Sequence, residues 1–177
     1  KMRRVILRVH EPIPPFNEPA RDLRILNKPL WLLQRDLLAR HCQGELEVES
    51  LEEAASLSGE LLVHKDNLFF NAALIDTFIA QARASGRPCQ IAFSPDDAAI
   101  TTHALPVQDG IRRQGDVYVA DLYYFPNGLA PDPEPLVIDT LPREIGYYHI
   151  PSYMAPHMGD LVFYIPWRAF LSVESWL

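Results

Sequence analysis

Residues 61–88 read LLVHKDNLFFNAALIDTFIAQARASGRP and decide the fold. The opening LLV triplet is typical of a short buried strand, and the polar break HKDN follows it. Asn71 is a suitable helix N-cap. Beyond it, apolar residues recur at the spacing of one buried helix face: Leu74, Ile75, Phe78, Ile79 and Ala82. Gly86 permits the left-handed conformation just past a helix end, and Pro88 prevents continuation, so both ends of this helix are predicted.

Strand and helix patterns alternate through the first half of the chain. The predicted elements are a strand over 2–10, a helix over 29–41, a strand over 46–51, a short helix over 51–57, a strand over 61–63, a helix over 72–85 and a strand over 90–93. Pro29 opens the first helix where a missing N–H costs nothing, and Ser50 with Glu53 fits a capping box for the second. This alternation predicts an α/β three-layer sandwich with a mostly parallel sheet.

The second half has strand-like segments with no helix between them. They cover residues 99–105, 117–125, 136–140, 146–150 and 161–165, separated by turn and proline signals. We expect an antiparallel or mixed extension of the same sheet. A length of 177 residues suits one core, so a single domain over 1–177 is predicted. The chain stops at Leu177 inside an amphipathic stretch, which predicts that this domain is the N-terminal part of a longer chain.

Composition narrows the partners and the compartment. The net charge of -7 counts against a nucleic acid held by phosphate contacts. No apolar run approaches the roughly 18 residues that a membrane span requires, so no membrane partner is expected. Cys42 and Cys89 form no CxxC pair, which favours a reducing compartment and predicts a cytoplasmic protein.

Asp66 is the first candidate functional residue, because it follows a buried strand and precedes a helix. Strand ends of this kind face the crevice where α/β proteins bind ligands. Two interpretations stay open: a metal ligand, or a turn carboxylate that caps local N–H groups, which the neighbouring Asn67 favours. His10 and His64 end two strands expected to be neighbours, so they are the histidine pair that could share a site with Asp66.

The second half contributes further carboxylates and aromatic residues. Asp121 interrupts the apolar stretch VYVADLYYF and lies either on a solvent-facing strand face or in the crevice. Asp160 precedes the last strand and is either a second metal carboxylate or a turn residue. Asp96 and Asp97 read as turn residues. The tyrosines of this half fit cross-strand packing, with a stacking platform for a sugar or base as the alternative.

Residues 61–93 are similar in layout to the stretch of sugar-1-phosphate nucleotidyltransferases in which a buried strand ends in a Gly-Asp pair before a helix and another strand. Residues 27–30, NKPL, resemble the Gly-Lys-Pro-Leu segment of that family. With the first strand, the resemblance covers residues 2–93. It implies a Rossmann-like fold, a nucleoside triphosphate and a sugar phosphate as ligands, and Mg²⁺ as cofactor. Carried over, Lys28 and Asp66 would be catalytic, and Asp66 would hold the metal. Asp160, from its position alone, is the candidate for a second metal carboxylate.

The chain departs from that family directly after the first strand. The family's Gly-rich loop binds the triphosphate through successive backbone N–H groups. Here residues 10–24 read HEPIPPFNEPARDLR, without glycine, and four prolines remove four donors. Arg21 and Arg24 remain as cations for the nucleotide. Lys65 replaces the family's glycine before Asp66, where we expect it to pair with that carboxylate and compete with a metal.

Two hypotheses follow from these residues. The first is a nucleotidyltransferase-like domain that acts on, or descends from an enzyme that acts on, a nucleoside triphosphate and a sugar phosphate. It is either active or impaired by the proline-rich segment that replaces the Gly-rich loop. The alternative is a non-catalytic binding or assembly domain of a multidomain protein, with homo-oligomers formed through a following domain.

Overall fold

The computed structural model describes residues 1–10, 12–13, 18–25, 27–97, 110–140, 142–148, 161–166 and 170–172. The strands are β1 (Met2–Leu7), β2 (Pro12–Ile13), β3 (Glu18–Pro19), β4 (Arg24–Ile25), β5 (Lys28–Pro29), β6 (Cys42–Val48), β7 (Leu61–Lys65), β8 (Leu68–Phe70), β9 (Cys89–Phe93), β10 (Arg112–Gln114), β11 (Val117–Phe125), β12 (Glu134–Val137), β13 (Pro142–Tyr148), β14 (Leu161–Pro166) and β15 (Phe170–Ser172). The α-helices are α1 (Leu30–Leu38) and α2 (Ala72–Ser85), and 3-10 helices span Ala20–Asp22 and Leu51–Ala54.

The central sheet has the strand order β12-β9-β11-β7-β1-β6, with β10 paired to β11. β6, β1 and β7 are parallel, as are β9 and β12, whereas β11 is antiparallel to both of its main neighbours. The predicted fold class, a mostly parallel α/β sheet of Rossmann-like type, is confirmed. The predicted neighbours β1 and β7 are adjacent, with Val5 opposite Val63. The antiparallel strand of the second half lies inside the sheet, between β7 and β9.

β7 is longer than its sequence pattern suggested. His64 and Lys65, which we expected to break the strand, continue it, and the turn comes only at Asp66. His64 is fully buried because β1 flanks β7 on one side and β11 on the other. A polar residue in a central strand is compatible with the ladder when its side chain finds partners, and His64 has them.

The helix α2 forms as its local signals predict. The Asn71 side chain accepts a hydrogen bond from the Leu74 N–H at 3.0 Å, and Gly86 closes the helix in the left-handed conformation with φ of 66°. These two contacts satisfy main-chain groups that the helix ends would leave unpaired. The predicted apolar face is buried against the sheet.

The two faces of the sheet pack against different elements. Successive residues of a strand point to opposite faces and therefore join different apolar clusters. Leu62 joins the larger cluster, to which both α-helices contribute, whereas Val63 joins a smaller cluster with Ala54 of the second 3-10 helix. The capping box of that helix is present, with the Glu53 carboxylate accepting the Ser50 N–H at 3.1 Å. The strand predicted over 99–105 lies outside the described residues.

Within the described ranges, neither α-helix is long and apolar enough to cross a bilayer.

Candidate functional site

The candidate site lies where the parallel strands β1 and β7 end, on the same edge of the sheet. Asp66 is buried there, with only 2% of the residue exposed. Its Oδ1 accepts a hydrogen bond from the Val9 N–H at 3.0 Å, and its Oδ2 lies 3.2 Å from the Nε of Arg8. The Asp66 N–H donates to the Leu7 carbonyl at 3.0 Å. The carboxylate therefore joins the ends of the two strands.

Two further charges complete what we call the Asp66 network, formed by Arg8, Arg21, Glu47 and Asp66. Glu47 accepts from Arg8 at 3.1 Å and lies 3.1 Å from the Nη2 of Arg21. The hydrogen bond from Arg21 is the main reason why the pKa of Glu47 is lowered. Two guanidinium groups thus face two carboxylates, and the network is close to neutral.

Burial is the dominant influence on the ionisation of Asp66. It raises the pKa of that carboxyl, and the Val9 N–H and the charges of Arg8 and Arg21 offset the effect only in part. One carboxylate oxygen therefore accepts a main-chain N–H, and that N–H comes from the segment after β1 and not from the local turn.

Lys28 and Arg24 have partners of their own, on the chain between the first 3-10 helix and α1. The Nζ of Lys28 lies 2.6 Å from the Oδ2 of Asp36 in an exposed ion pair. The guanidinium of Arg24 donates to the Asn27 carbonyl at 2.6 Å. No contact between these two cations and the Asp66 network is found among the described residues, whereas Arg21 does join it. Asp160 lies outside the described residues.

The histidine pair is split between two environments. His10 is exposed and pairs with Glu49. The Nε2 of His64 lies 2.9 Å from the Nε of Arg4, and its Nδ1 lies 2.7 Å from the Lys65 carbonyl. Burial and then the charge of Arg4 lower the pKa of His64 to about 3. His64 is therefore neutral near pH 7, and its partners differ from those of His10.

A second polar group, the Asp121 cluster, is formed by Lys65, Arg112, Asp121 and Tyr123. Asp121 is 7% exposed, so it does not lie on a solvent-facing strand face. The Nζ of Lys65 lies 2.8 Å from its Oδ2, and the Nη2 of Arg112 lies 3.1 Å from its Oδ1. The Tyr123 hydroxyl donates to Oδ1 at 2.7 Å. The expected pairing of Lys65 with its sequence neighbour Asp66 is therefore wrong, because the ammonium group pairs with Asp121 instead.

The antiparallel register between β11 and β7 brings Asp121 to Lys65, because Leu122 lies opposite His64 and the next residue along each strand is therefore adjacent. Val119 lies opposite Ala92 and Tyr123 opposite Gln90, so the register between β11 and β9 shifts in this interval. Burial works to raise the pKa of Asp121, but hydrogen bonds from Lys65 and Tyr123 and the charges of Lys65 and Arg112 outweigh it, and the pKa is lowered. Burial, followed by the hydrogen bond to Asp121, raises the pKa of Tyr123 to about 12.

Sequence reasoning missed two buried polar residues, Arg4 and Gln34. The Gln34 amide donates to the carbonyls of Asp66 at 3.0 Å and Leu68 at 2.7 Å, and so holds the turn that carries Asp66. Periodicity contained the signal. Arg4 shares its strand face with Met2 and Ile6, and Gln34 stands four residues from Leu30 and from Leu38, on the buried side of α1.

No protein-family model matches this chain, and no curated protein matches it. Solved structures do. A hypothetical transferase from Thermus thermophilus has 11% identity and a TM-score of 0.44, over 71% of this chain and 66% of that one, which is just under two thirds of its length. UDP-glucose pyrophosphorylase complexed with UDP-glucose has 7% identity and a TM-score of 0.42, over 71% and 76% of the two chains.

A third similar structure is named as a glucose-1-phosphate thymidylyltransferase from Bacillus anthracis in complex with sucrose. It has 10% identity and a TM-score of 0.39, over 71% of this chain and 72% of that one. The second and third structures are nucleotidyltransferases. With TM-scores below 0.5, these superpositions carry no argument about activity or ligands. The strand order of the sheet remains the basis for the fold class.

Proposed function

We propose that this chain is a nucleotidyltransferase-like domain in which catalysis of nucleotidyl transfer is impaired. The observation that carries the proposal is the state of Asp66. This residue is buried, one carboxylate oxygen accepts the Val9 N–H, and the other faces the guanidinium of Arg8. The sequence resemblance assigns a metal-binding role to Asp66. In that role, its contacts with Val9 and Arg8 would have to be replaced by contacts with the metal.

The backbone after β1 supports the same proposal. In the family that the sequence resembles, N–H groups at this point bind the triphosphate. Here the Arg8 N–H donates to the Val48 carbonyl at 2.9 Å, and the Val9 N–H donates to Asp66. β2 and β3 then pair through Pro12 and Pro19, which have no N–H to offer. In the described part of this segment, the N–H groups of Arg8 and Val9 thus have internal partners.

A divalent cation does not fit the donor set around Asp66. Mg²⁺ prefers oxygen ligands and keeps several waters, so it needs an accessible carboxylate. Asp66 is closed off from solvent and lies beside Arg8, with Arg21 also raising the local positive potential. Because Arg8 and Arg21 already balance the charges of Asp66 and Glu47, little negative charge remains to attract a cation. We therefore assign no catalytic step to Mg²⁺.

An active enzyme, the other form of the first hypothesis, makes a different prediction. There, a metal on Asp66 would neutralise the triphosphate while the sugar phosphate attacks the α-phosphorus and pyrophosphate leaves. Our proposal retains the nucleoside triphosphate and the sugar phosphate as candidate ligands without this turnover.

Pyrophosphate release tests the proposal. The protein is incubated with Mg²⁺, glucose 1-phosphate and each nucleoside triphosphate in turn, and pyrophosphate is measured against a protein-free blank. We expect no release above the blank. Metal-dependent release that Asp66→Asn abolishes would overturn the proposal, provided that Asp116→Asn, which alters an exposed turn carboxylate, retains it.

A further inference from the structure

The Asp121 cluster contains more positive than negative charge. Lys65 comes from β7 and Arg112 from β10, and both converge on one carboxylate, at 2.8 Å and 3.1 Å. Their side chains are 36% and 49% exposed, whereas that of Asp121 is 10% exposed. The Asp121 carboxylate therefore lies beneath the protein surface, and the two cations lie at the surface. One negative charge cannot neutralise both.

The cluster is held rigidly from beneath. The Tyr123 hydroxyl donates to Asp121, and the buried Gln90 amide donates to the Tyr123 oxygen at 3.4 Å and to the Ala120 carbonyl at 3.1 Å. Ala120 lies inside the register shift of β11, so the Gln90 amide hydrogen-bonds a carbonyl that belongs to the irregular part of the strand. These contacts fix the carboxylate that orients Lys65 and Arg112, and they reduce the ordering cost of binding a ligand.

The position of the cluster is that of a ligand site. Lys65 is the last residue of β7, at the end of the sheet where the parallel strands of α/β proteins meet their ligands. Bulges are enriched beside such sites because they redirect side chains. An ammonium group has three donors and a guanidinium five. Among the described residues, Lys65 and Arg112 share Asp121, and Arg112 also contacts the Tyr123 side chain, so donors are left for an outer ligand.

From this arrangement, we propose that Lys65 and Arg112 form a metal-independent binding site for a phosphate-type oxyanion. The planar guanidinium suits two phosphate oxygens, and the ammonium supplies a point charge beside it. The ligand is free phosphate or pyrophosphate, or the phosphate group of a sugar phosphate. The assignment concerns a different carboxylate and requires no turnover, so for free phosphate or pyrophosphate it does not depend on the proposed function. A sugar phosphate in this site would be a ligand that the proposed function retains.

Calorimetry in the presence of EDTA tests the site. The protein is titrated at constant ionic strength with inorganic phosphate, pyrophosphate and glucose 1-phosphate. We expect saturable binding of at least one of these compounds. The compound with the lowest Kd shows whether the site prefers a free anion or a sugar phosphate. Lys65→Gln and Arg112→Gln should each weaken binding about tenfold, since each removes a charge-assisted hydrogen bond. Lys65→Arg should retain binding.

The matched control is Arg113→Gln, one residue along β10. Arg113 is exposed, and its Nε donates to the Gly115 carbonyl. This variant should bind the anion as the unmodified protein does. Absence of saturable binding would refute the proposed site. Equal weakening of anion binding by Arg113→Gln and Arg112→Gln would also refute it, because it would indicate diffuse electrostatic attraction. Pyrophosphate release in the preceding assay would refute the impaired catalysis and leave this result unaffected.

Discussion

The Nε of Arg4 lies 2.9 Å from the Nε2 of His64, with both side chains buried in the sheet. Because the arginine donates, this histidine nitrogen accepts, and the Nδ1–H donates to the Lys65 carbonyl. The remaining nitrogens of Arg4 donate to Glu45 at 3.0 Å and to Gln34 at 3.4 Å. One buried cation thereby joins three neighbouring strands to α1. A buried charge is tolerated in this way only when it is paired and hydrogen-bonded.

The low pKa of His64 predicts a stability that falls in acid. The ordinary pKa is 6.5, and burial with the charge of Arg4 lowers it to about 3 in the folded protein. Between these values the unfolded chain binds a proton that the folded chain does not, so the free energy of unfolding decreases as the pH falls. The slope for this one group approaches about 1.4 kcal/mol per pH unit.

Urea unfolding of the protein and of His64→Gln from pH 7 to pH 4 measures this contribution. The other acidic groups are common to both proteins, so the difference between the two free energies isolates His64. We expect the advantage of the unmodified protein to shrink steadily below pH 6.5. Parallel curves would show that His64 is not kept neutral by the fold.

Replacement of Arg4 should be strongly destabilising. Arg4→Ala leaves His64, Gln34 and Glu45 without their buried partner, and breaking such a network costs about 3–5 kcal/mol. Arg3→Ala is the matched control, because Arg3 is the preceding residue of β1 and is exposed. We expect a change within about 0.5 kcal/mol for that control. Equal losses in denaturant midpoint for the two variants would contradict the structural role of Arg4.

Gly128 is required by a close approach of two backbone segments. A Cβ at this position would lie 2.8 Å from the Leu57 carbonyl oxygen, and φ is +80°. Gly115 has φ of +61°, and a Cβ there would meet no atom within 4 Å. Both alanine variants incur left-handed strain of about 1–2 kcal/mol, but only Gly128→Ala adds a clash. Thermal unfolding should show the larger loss for Gly128→Ala, and similar losses would contradict this.

The features that sequence predicted well are local ones. The ends of α2 followed from Asn71 and Gly86, whose effects act within one helical turn. The expected adjacency of β1 and β7 is confirmed as well, although β6 comes between them in the chain. The ends of α2 were predictable because the deciding interactions involve near neighbours in sequence.

The features that sequence did not predict depend on register between distant strands. Lys65 contacts Asp121 because β11 lies beside β7 in antiparallel orientation with Leu122 opposite His64, a register that no local pattern marks. The Asp66 carboxylate accepts the Val9 N–H because β1 and β7 end together. A sequence position next to a strand end indicates that a carboxylate is near the crevice, but it does not indicate which groups will neutralise it.

Calorimetric titration with Mg²⁺ and each nucleoside triphosphate is the sharpest test of whether Asp66 serves the fold and not a metal. We predict that the unmodified protein shows no saturable nucleotide binding that depends on both Mg²⁺ and the Asp66 carboxylate. Metal-dependent binding that is abolished in Asp66→Asn and retained in Asp116→Asn would contradict the account.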